Sequence, residues 1–144
     1  MALTKRPRLA VAAIVGDGQG RCLLVQRVDP PAVGTWAFPG GSLEWGESIA
    51  EGVAREVREE CGLTIQAGDV LYLAELLPRG DDAQQDHFVI LDLAALWTAG
   101  EPEAGSDAGR LLWVDAAGWR QLALAPGMRD ALQHGAVRRF LGWA

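Results

Sequence analysis

Apolar and polar positions along the chain fall into short blocks with two different periods. Arg8 to Gly16, RLAVAAIVG, is almost wholly apolar, and RCLLVQRV, Arg21 to Val28, follows after the turn-forming GDGQG of Gly16 to Gly20. Two short apolar runs around such a turn predict a β-hairpin. Residues 29–46 contain three prolines and several glycines and predict a loop. Glu47 to Cys61 changes to a helical period, with Gly62 as its stop. Leu63 to Leu77 predicts a strand broken near Ala67-Gly68-Asp69, and Pro78 to Gln85 a polar loop. Asp86 to Trp97 predicts a long strand, Gly100 to Gly109 a loop, and Arg110 to Asp115 a short strand. The tail, Ala116 to Phe140, predicts one or two helices, with Pro126 starting the last. Strands with one central and one C-terminal helical region predict an α/β fold, a mixed sheet with helices packed on its faces.

The central helix carries the unusual chemistry. At about 100° per residue, Ala50, Val53, Ala54, Val57 and Cys61 share one arc and form the core face. Glu56, Glu59 and Glu60 share another arc, roughly 120° away. The helix holds no lysine, and on this wheel Arg55 and Arg58 lie at the edges of the acidic cluster or away from its middle. Like charges at such spacing repel. One reading is a solvated acidic face. The other is a site for a hard divalent cation, which takes oxygen ligands and keeps coordination positions for water and phosphate. The residues before the helix favour the second. Pro39-Gly40-Gly41 is a tight turn where backbone can approach closely and offer a carbonyl, and Trp36, Phe38 and Trp45 lie beside it. A plain solvated helix needs none of these.

Bulk properties narrow the partners. The 144 residues predict a single domain over 1–144. The net charge of −6 argues against a nucleic acid polymer as partner, because such binding leans on Lys and Arg. It leaves open a small phosphate ligand carried by a cation. Cys22 and Cys61 lie outside any CxxC pattern and read as small core residues. No run approaches the roughly 18 apolar residues of a membrane span, and the first residues do not read as a secretory signal. A cytoplasmic protein with no membrane partner is the expectation.

The stretch GSLEWGESIAEGVAREVREECGL, Gly41 to Leu63, resembles the signature of the Nudix hydrolase family. That signature reads Gly-x5-Glu-x7-Arg-Glu-U-x-Glu-Glu-x-Gly-U, with U a bulky aliphatic residue. Gly41, Glu47, Arg55, Glu56, Val57, Glu59, Glu60, Gly62 and Leu63 occupy all its fixed positions. WAFPGG (Trp36 to Gly41), the opening hairpin and LLVQR (Leu23 to Arg27) are also similar to the family. The resemblance implies an α/β/α sandwich around a central mixed sheet. It implies hydrolysis of a nucleoside diphosphate linked to another group, with Mg²⁺ or Mn²⁺. It implies metal ligands at Glu56, Glu59 and Glu60, with the carbonyl of Gly40 added, and a Glu47–Arg55 pair that braces the loop against the helix.

The pyrophosphate linkage is protected by its own negative oxygens, and a base must take a proton from the attacking water. Glu59 or Glu60 can serve, or a downstream loop acid as in some relatives. Asp107 is the candidate there, with Glu101 and Glu103 nearby, although Gly109-Arg110 departs from the Ala-Glu expected in such relatives. Pro78, sixteen residues after Gly62, together with the strand and loop that follow, points weakly to ADP-ribose or a similar small nucleotide. A nucleoside triphosphate pyrophosphatase and a non-catalytic nucleotide-binding module are the alternatives. An RNA-end processing enzyme is disfavoured by the acidic charge. Arg27 is a candidate phosphate clamp. Trp36, Phe38, Tyr72, Phe88 and Trp97 are candidates to stack a base, each also a candidate for the core. His87 and His134 read as structural and surface residues. Family members often dimerise, so a homodimer stays open.

Overall fold

A computed structural model describes residues 5–30, 32–78, 86–105 and 108–144. The predicted hairpin forms, with β1 at Arg8–Gly16 and β2 at Cys22–Arg27. Asp17 closes its turn by accepting from the backbone N–H groups of Gln19 (2.8 Å) and Arg21 (3.0 Å). The next segment is not all loop. It contains β3 (Trp36–Ala37) and β4 (Gly40–Ser42), strands too short to show a period. Then come α1 (Ile49–Cys61), β5 (Thr64–Leu76), β6 (Phe88–Ala99) and β7 (Ala108–Val114). The tail holds a 3₁₀ turn at Gly118–Gln121 and helices α2 (Met128–Gln133) and α3 (Gly135–Leu141). Pro126 therefore precedes the first of two helices rather than the last. The break between them lies at His134, whose backbone is extended (φ −70°, ψ 135°).

The seven strands form one mixed sheet in which β3, β2, β1, β6 and β5 run side by side. β1 and β6 are parallel, while β5–β6, β2–β7 and β1–β2 are antiparallel. β4 pairs with β1 over Ala10–Ala12, and β2 meets β1 in register at the Gly16–Cys22 pair. The sheet thus opens between β1 and β2, and the Gly-Gly strand enters there. The break expected in β5 near Ala67-Gly68-Asp69 is a register shift between Ala67 and Val70.

Alternation along β1 builds both layers. Val11, Ala13 and Val15 pack with Val53, Val57, Cys61 and Leu63 on the α1 side. Ala12 and Ile14 pack with Trp119, Leu132, Val137 and Leu141 on the other side, so both faces of the strand are buried. Each fully buried aliphatic side chain contributes about 1.5–3 kcal/mol. Cys22 and Cys61 are free thiols in these two cores. Ala50, placed on the helix's core face from its spacing, is exposed instead. The result is an α/β/α sandwich around a mixed sheet. Among the described residues, no helix is long and apolar enough to cross a membrane.

Candidate active site

Helix α1 starts two residues later than Glu47, and the reason matters for the site. Ser48 caps the helix, accepting from the Glu51 N–H at 3.1 Å while Glu51 accepts from the Ser48 N–H at 3.1 Å. This reciprocal box satisfies two otherwise unpaired donors and frees Glu47 from the helix. Glu47 accepts from the Glu44 N–H (2.9 Å) and takes a two-pronged contact from Arg55, Nε to Oε2 at 2.9 Å and Nη2 to Oε1 at 2.8 Å. At the other end, Gly62 adopts a left-handed conformation (φ 70°) and its N–H returns to the Arg58 carbonyl. The N–H groups of Glu103 and Gly105 bind the Cys61 and Glu60 carbonyls, each at 2.8 Å. These bonds satisfy the helix's open carbonyls and dock the 100–105 segment on the helix end.

Arg55 stands in the middle of the acidic group, not at its edge. Beyond Glu47, it donates to Glu56 Oε1 at 2.9 Å, to Glu59 Oε2 at 3.4 Å and to the Ser42 carbonyl at 3.2 Å. A helical wheel places side-chain roots only, and the long arginine reaches across its own helix surface. One guanidinium therefore offsets repulsion among three glutamates and ties the β4–α1 loop to the helix.

The environments of these acids differ. Hydrogen bonds from Arg55, with help from the Glu44 backbone, hold the Glu47 carboxyl down at about 2. The same partner raises the Arg55 guanidinium above its ordinary value, its bond to Glu47 being the largest cause. Glu56 moves the other way. Burial raises its pKa, Arg55 opposes the rise, and neighbouring Glu59 adds to it. Its side chain is 13% exposed, against 56% for Glu59.

The two glycines of β4 are required by space. A Cβ on Gly40 would lie 2.2 Å from the Val11 carbonyl oxygen, and one on Gly41 would lie 2.6 Å from Glu56 Oε1. The absent side chains let β4 press onto β1 and leave room for the Glu56 carboxylate. The Gly40 N–H donates to Glu60 Oε2 at 3.3 Å. Gly40 thus meets Glu60, Gly41 borders Glu56, and Glu59 is tied to Glu56 only through Arg55.

Among the described residues, no group of three or more His, Cys, Asp or Glu side chains is gathered to hold a metal ion. Arg55 lies between the carboxylates. The donor set still fits a hard divalent cation: it is all oxygen, one member is shielded from solvent, and bare Gly41 leaves space at the Glu56 carboxylate.

Gly40 and Gly41 also form one wall of a cavity of about 420 Å³. Arg27, at the end of β2, lines it, and so do Phe38, Phe88 and Met128. Trp36 does not line it. It is 8% exposed and packs in the core with Trp119 and Leu132. Tyr72 meets His134 with ring centroids 5.1 Å apart, and Trp97 stacks on Trp113 at 5.6 Å. Trp45 is wholly exposed on the loop before α1. Asp107 lies outside the described residues. Asp92 went unmarked by spacing. It is buried on β6 and lines the same cavity. The only signal for it was an acid in the middle of an otherwise apolar strand.

Comparison with known proteins agrees with this arrangement. A model of the NUDIX domain matches residues 6–136. The chain is 31% identical over 107 residues to the uncharacterized Nudix hydrolase YvcI of Bacillus subtilis, covering 74% of this chain and 66% of that protein. It is also 31% identical over 109 residues to an ADP-ribose pyrophosphatase of Methanocaldococcus jannaschii, covering 76% of this chain and 62% of that one. It therefore spans somewhat under two thirds of the length of these relatives. Among solved structures, a MutT NUDIX hydrolase from Burkholderia pseudomallei superposes with a TM-score of 0.81 at 28% identity, over 91% of this chain and 99% of that one. With a complete signature on a matching fold, the chain belongs to the Nudix family.

Proposed function

We propose that this chain hydrolyses the pyrophosphate bond of a nucleoside diphosphate linked to another group, ADP-ribose or a similar small nucleotide, with Mg²⁺ or Mn²⁺. The observation that carries the reading is the contact of Glu56 and Glu60 with the bare Gly40-Gly41 strand, which itself walls a nucleotide-sized cavity. A relative of similar sequence named as an ADP-ribose pyrophosphatase supports the substrate class.

In this reading Glu56, Glu59, Glu60 and the Gly40 carbonyl hold the divalent cation. When bound, it supplies charge neutralisation at the phosphate oxygens and a more acidic water. The chain's own groups do the rest. Arg55 holds the carboxylates in place from behind. Exposed Glu59 or Gly40-bound Glu60 accepts the proton of the attacking water. Arg27 faces the phosphate chain from the cavity wall, and Phe38 packs against the base. Asp107 remains a second candidate for the base. Attack on one phosphorus yields two phosphate-bearing products.

The test is a panel of ADP-ribose, NADH, nucleoside triphosphates, sugar nucleotides and diadenosine polyphosphates with Mg²⁺ or Mn²⁺, with products resolved. The expected result is metal-dependent release of AMP from ADP-ribose. Glu59→Gln or Glu60→Gln should lower turnover at least about 100-fold with the fold intact. Binding of ADP-ribose without turnover would make the chain a nucleotide-binding module. Near-normal rates in both variants would overturn the residue assignment.

A further inference from the structure

Asp92 interrupts the apolar run FVILDLAALW of β6. It is 4% exposed and is the one polar or charged side chain buried to that degree among the described residues. Its register partners are Ala12 on β1 and Tyr72 on β5. No hydrogen bond or ion pair reaches its carboxyl among the described residues, and burial alone shifts it. An isolated buried carboxyl is costly, so a fold that keeps one needs a compensating contact from elsewhere. The cavity offers the place for it. Asp92 lines the cavity together with Phe38, Phe88, Ile90 and Met128, an apolar surround.

Position relates this acid to the glutamates. Ala12 pairs with Asp92 on one side and with Gly40 on the other. Asp92 and Gly40 are thus two strand spacings apart, about 10 Å. A nucleoside monophosphate can bridge such a span, with its phosphate beside Gly40 and its base against Asp92.

We propose that Asp92 reads the nucleobase of the substrate and selects adenine. This inference rests on the nucleotide reading of the site and names its base. Burial pushes the Asp92 carboxyl up to about 7, so the protonated form is well populated near neutrality. A base that fills the cavity displaces the remaining water and favours that form further. A neutral carboxylic acid offers one O–H donor and a carbonyl acceptor side by side. The Watson–Crick edge of adenine offers the complement, the N6 amino donor and the N1 acceptor. It has no third polar group. Guanine, cytosine and uracil each carry three on that edge, and one would stay unpaired against the apolar wall.

The other groups around Asp92 leave this pairing available. Burial raises both the Tyr72 phenol of β5 and the Cys22 thiol of β2, so both stay protonated. Asp130 of α2 adds to the rise at Tyr72. Arg8 and Asp86 pair with each other at 3.3 Å at exposed positions in the lining, and Arg27 lies at the end of β2.

Calorimetric titration with ADP and GDP at pH 6, without divalent metal, tests the inference. The wild-type chain should bind ADP at least about tenfold more tightly than GDP. Asp92→Asn keeps one donor and one acceptor and should retain that preference. Asp92→Leu is similar in size but has neither, and should bring the two affinities within about threefold. Equal binding of ADP and GDP by the wild type, or an unchanged preference in Asp92→Leu, would overturn the role of Asp92 and leave the hydrolase reading standing. Failure to bind either nucleotide would sink both. Metal-dependent hydrolysis absent despite an intact ADP preference would sink the hydrolase reading alone.

Discussion

The cavity joins two acidic regions that the fold treats in opposite ways. At the Gly40-Gly41 wall, several glutamates crowd one helix, share the Arg55 guanidinium and remain partly open to solvent. On β6, Asp92 is buried among mostly apolar neighbours, with no hydrogen bond or ion pair to its carboxyl among the described residues. The same functional group is pushed down at Glu47 and up at Asp92. A fixed cation dominates in the first case, and lost hydration in the second. A carboxyl's chemical role thus depends on its surroundings rather than on its residue type. The open, paired end suits charge work on phosphates, while the closed, unpaired end suits recognition of a neutral base.

Replacing the lone acid should change stability most. The folded pKa of Asp92 lies above the unfolded value near 3.8, so the native state binds the extra proton. Wild-type stability should fall as pH rises from about 4 to about 7, and Asp92→Asn should lack that loss. At pH 8 the variant should be more stable than wild type by up to about 4 kcal/mol, the upper bound set by a shift of this size. Near pH 4 the two should converge. Urea unfolding at pH 4, 6 and 8 measures this, and a difference that stays constant with pH would remove the contrast between the two regions.

A smaller effect is expected from disturbing the paired end. Gly41→Ala would bring a methyl against the Glu56 carboxylate, a flexible side chain that can move aside. The melting temperature should shift only by a few degrees, while turnover should fall about tenfold, in line with a misplaced active-site group. If activity survives and stability collapses, the Gly41 space serves packing and not the carboxylate.

The smallest effect should come from Glu47. Its folded pKa is depressed to about 2 from 4.5, so its contribution is present above pH 4.5 and fades as pH falls toward 2. The pair with Arg55 is partly exposed, and exposed pairs are weak. Glu47→Gln should flatten the acid limb of the stability curve slightly and leave the neutral region near wild type. A large loss at pH 7 would mean that Arg55 needs Glu47 to hold the loop.

Much of this was legible before any coordinates. The hairpin, α1 and the long β6 stand out because their apolar periods are sustained and their ends carry Gly, Ser or Asp signals. β3 and β4 did not stand out, since two or three residues cannot display a period and the surrounding prolines and glycines read as loop. Arg55 was placed too far from the acids because a helical wheel omits the reach of the side chain. Phe38 and Trp36 look alike in sequence and share one core, yet of the two only Phe38 also lines the cavity.

The order of residues by itself determined the hairpin, the longer strands, the central helix and the spacing of Glu56, Glu59 and Glu60, because these follow from local geometry along the backbone. Only the tertiary structure decided that Arg55 hydrogen-bonds four acidic or carbonyl groups at once, that Gly41 leaves room for the Glu56 carboxylate, and that Asp92 is buried on the cavity wall with no hydrogen-bond partner among the described residues. Burial and charge pairing depend on what distant segments bring into contact. No local pattern encodes the dielectric surroundings of a side chain.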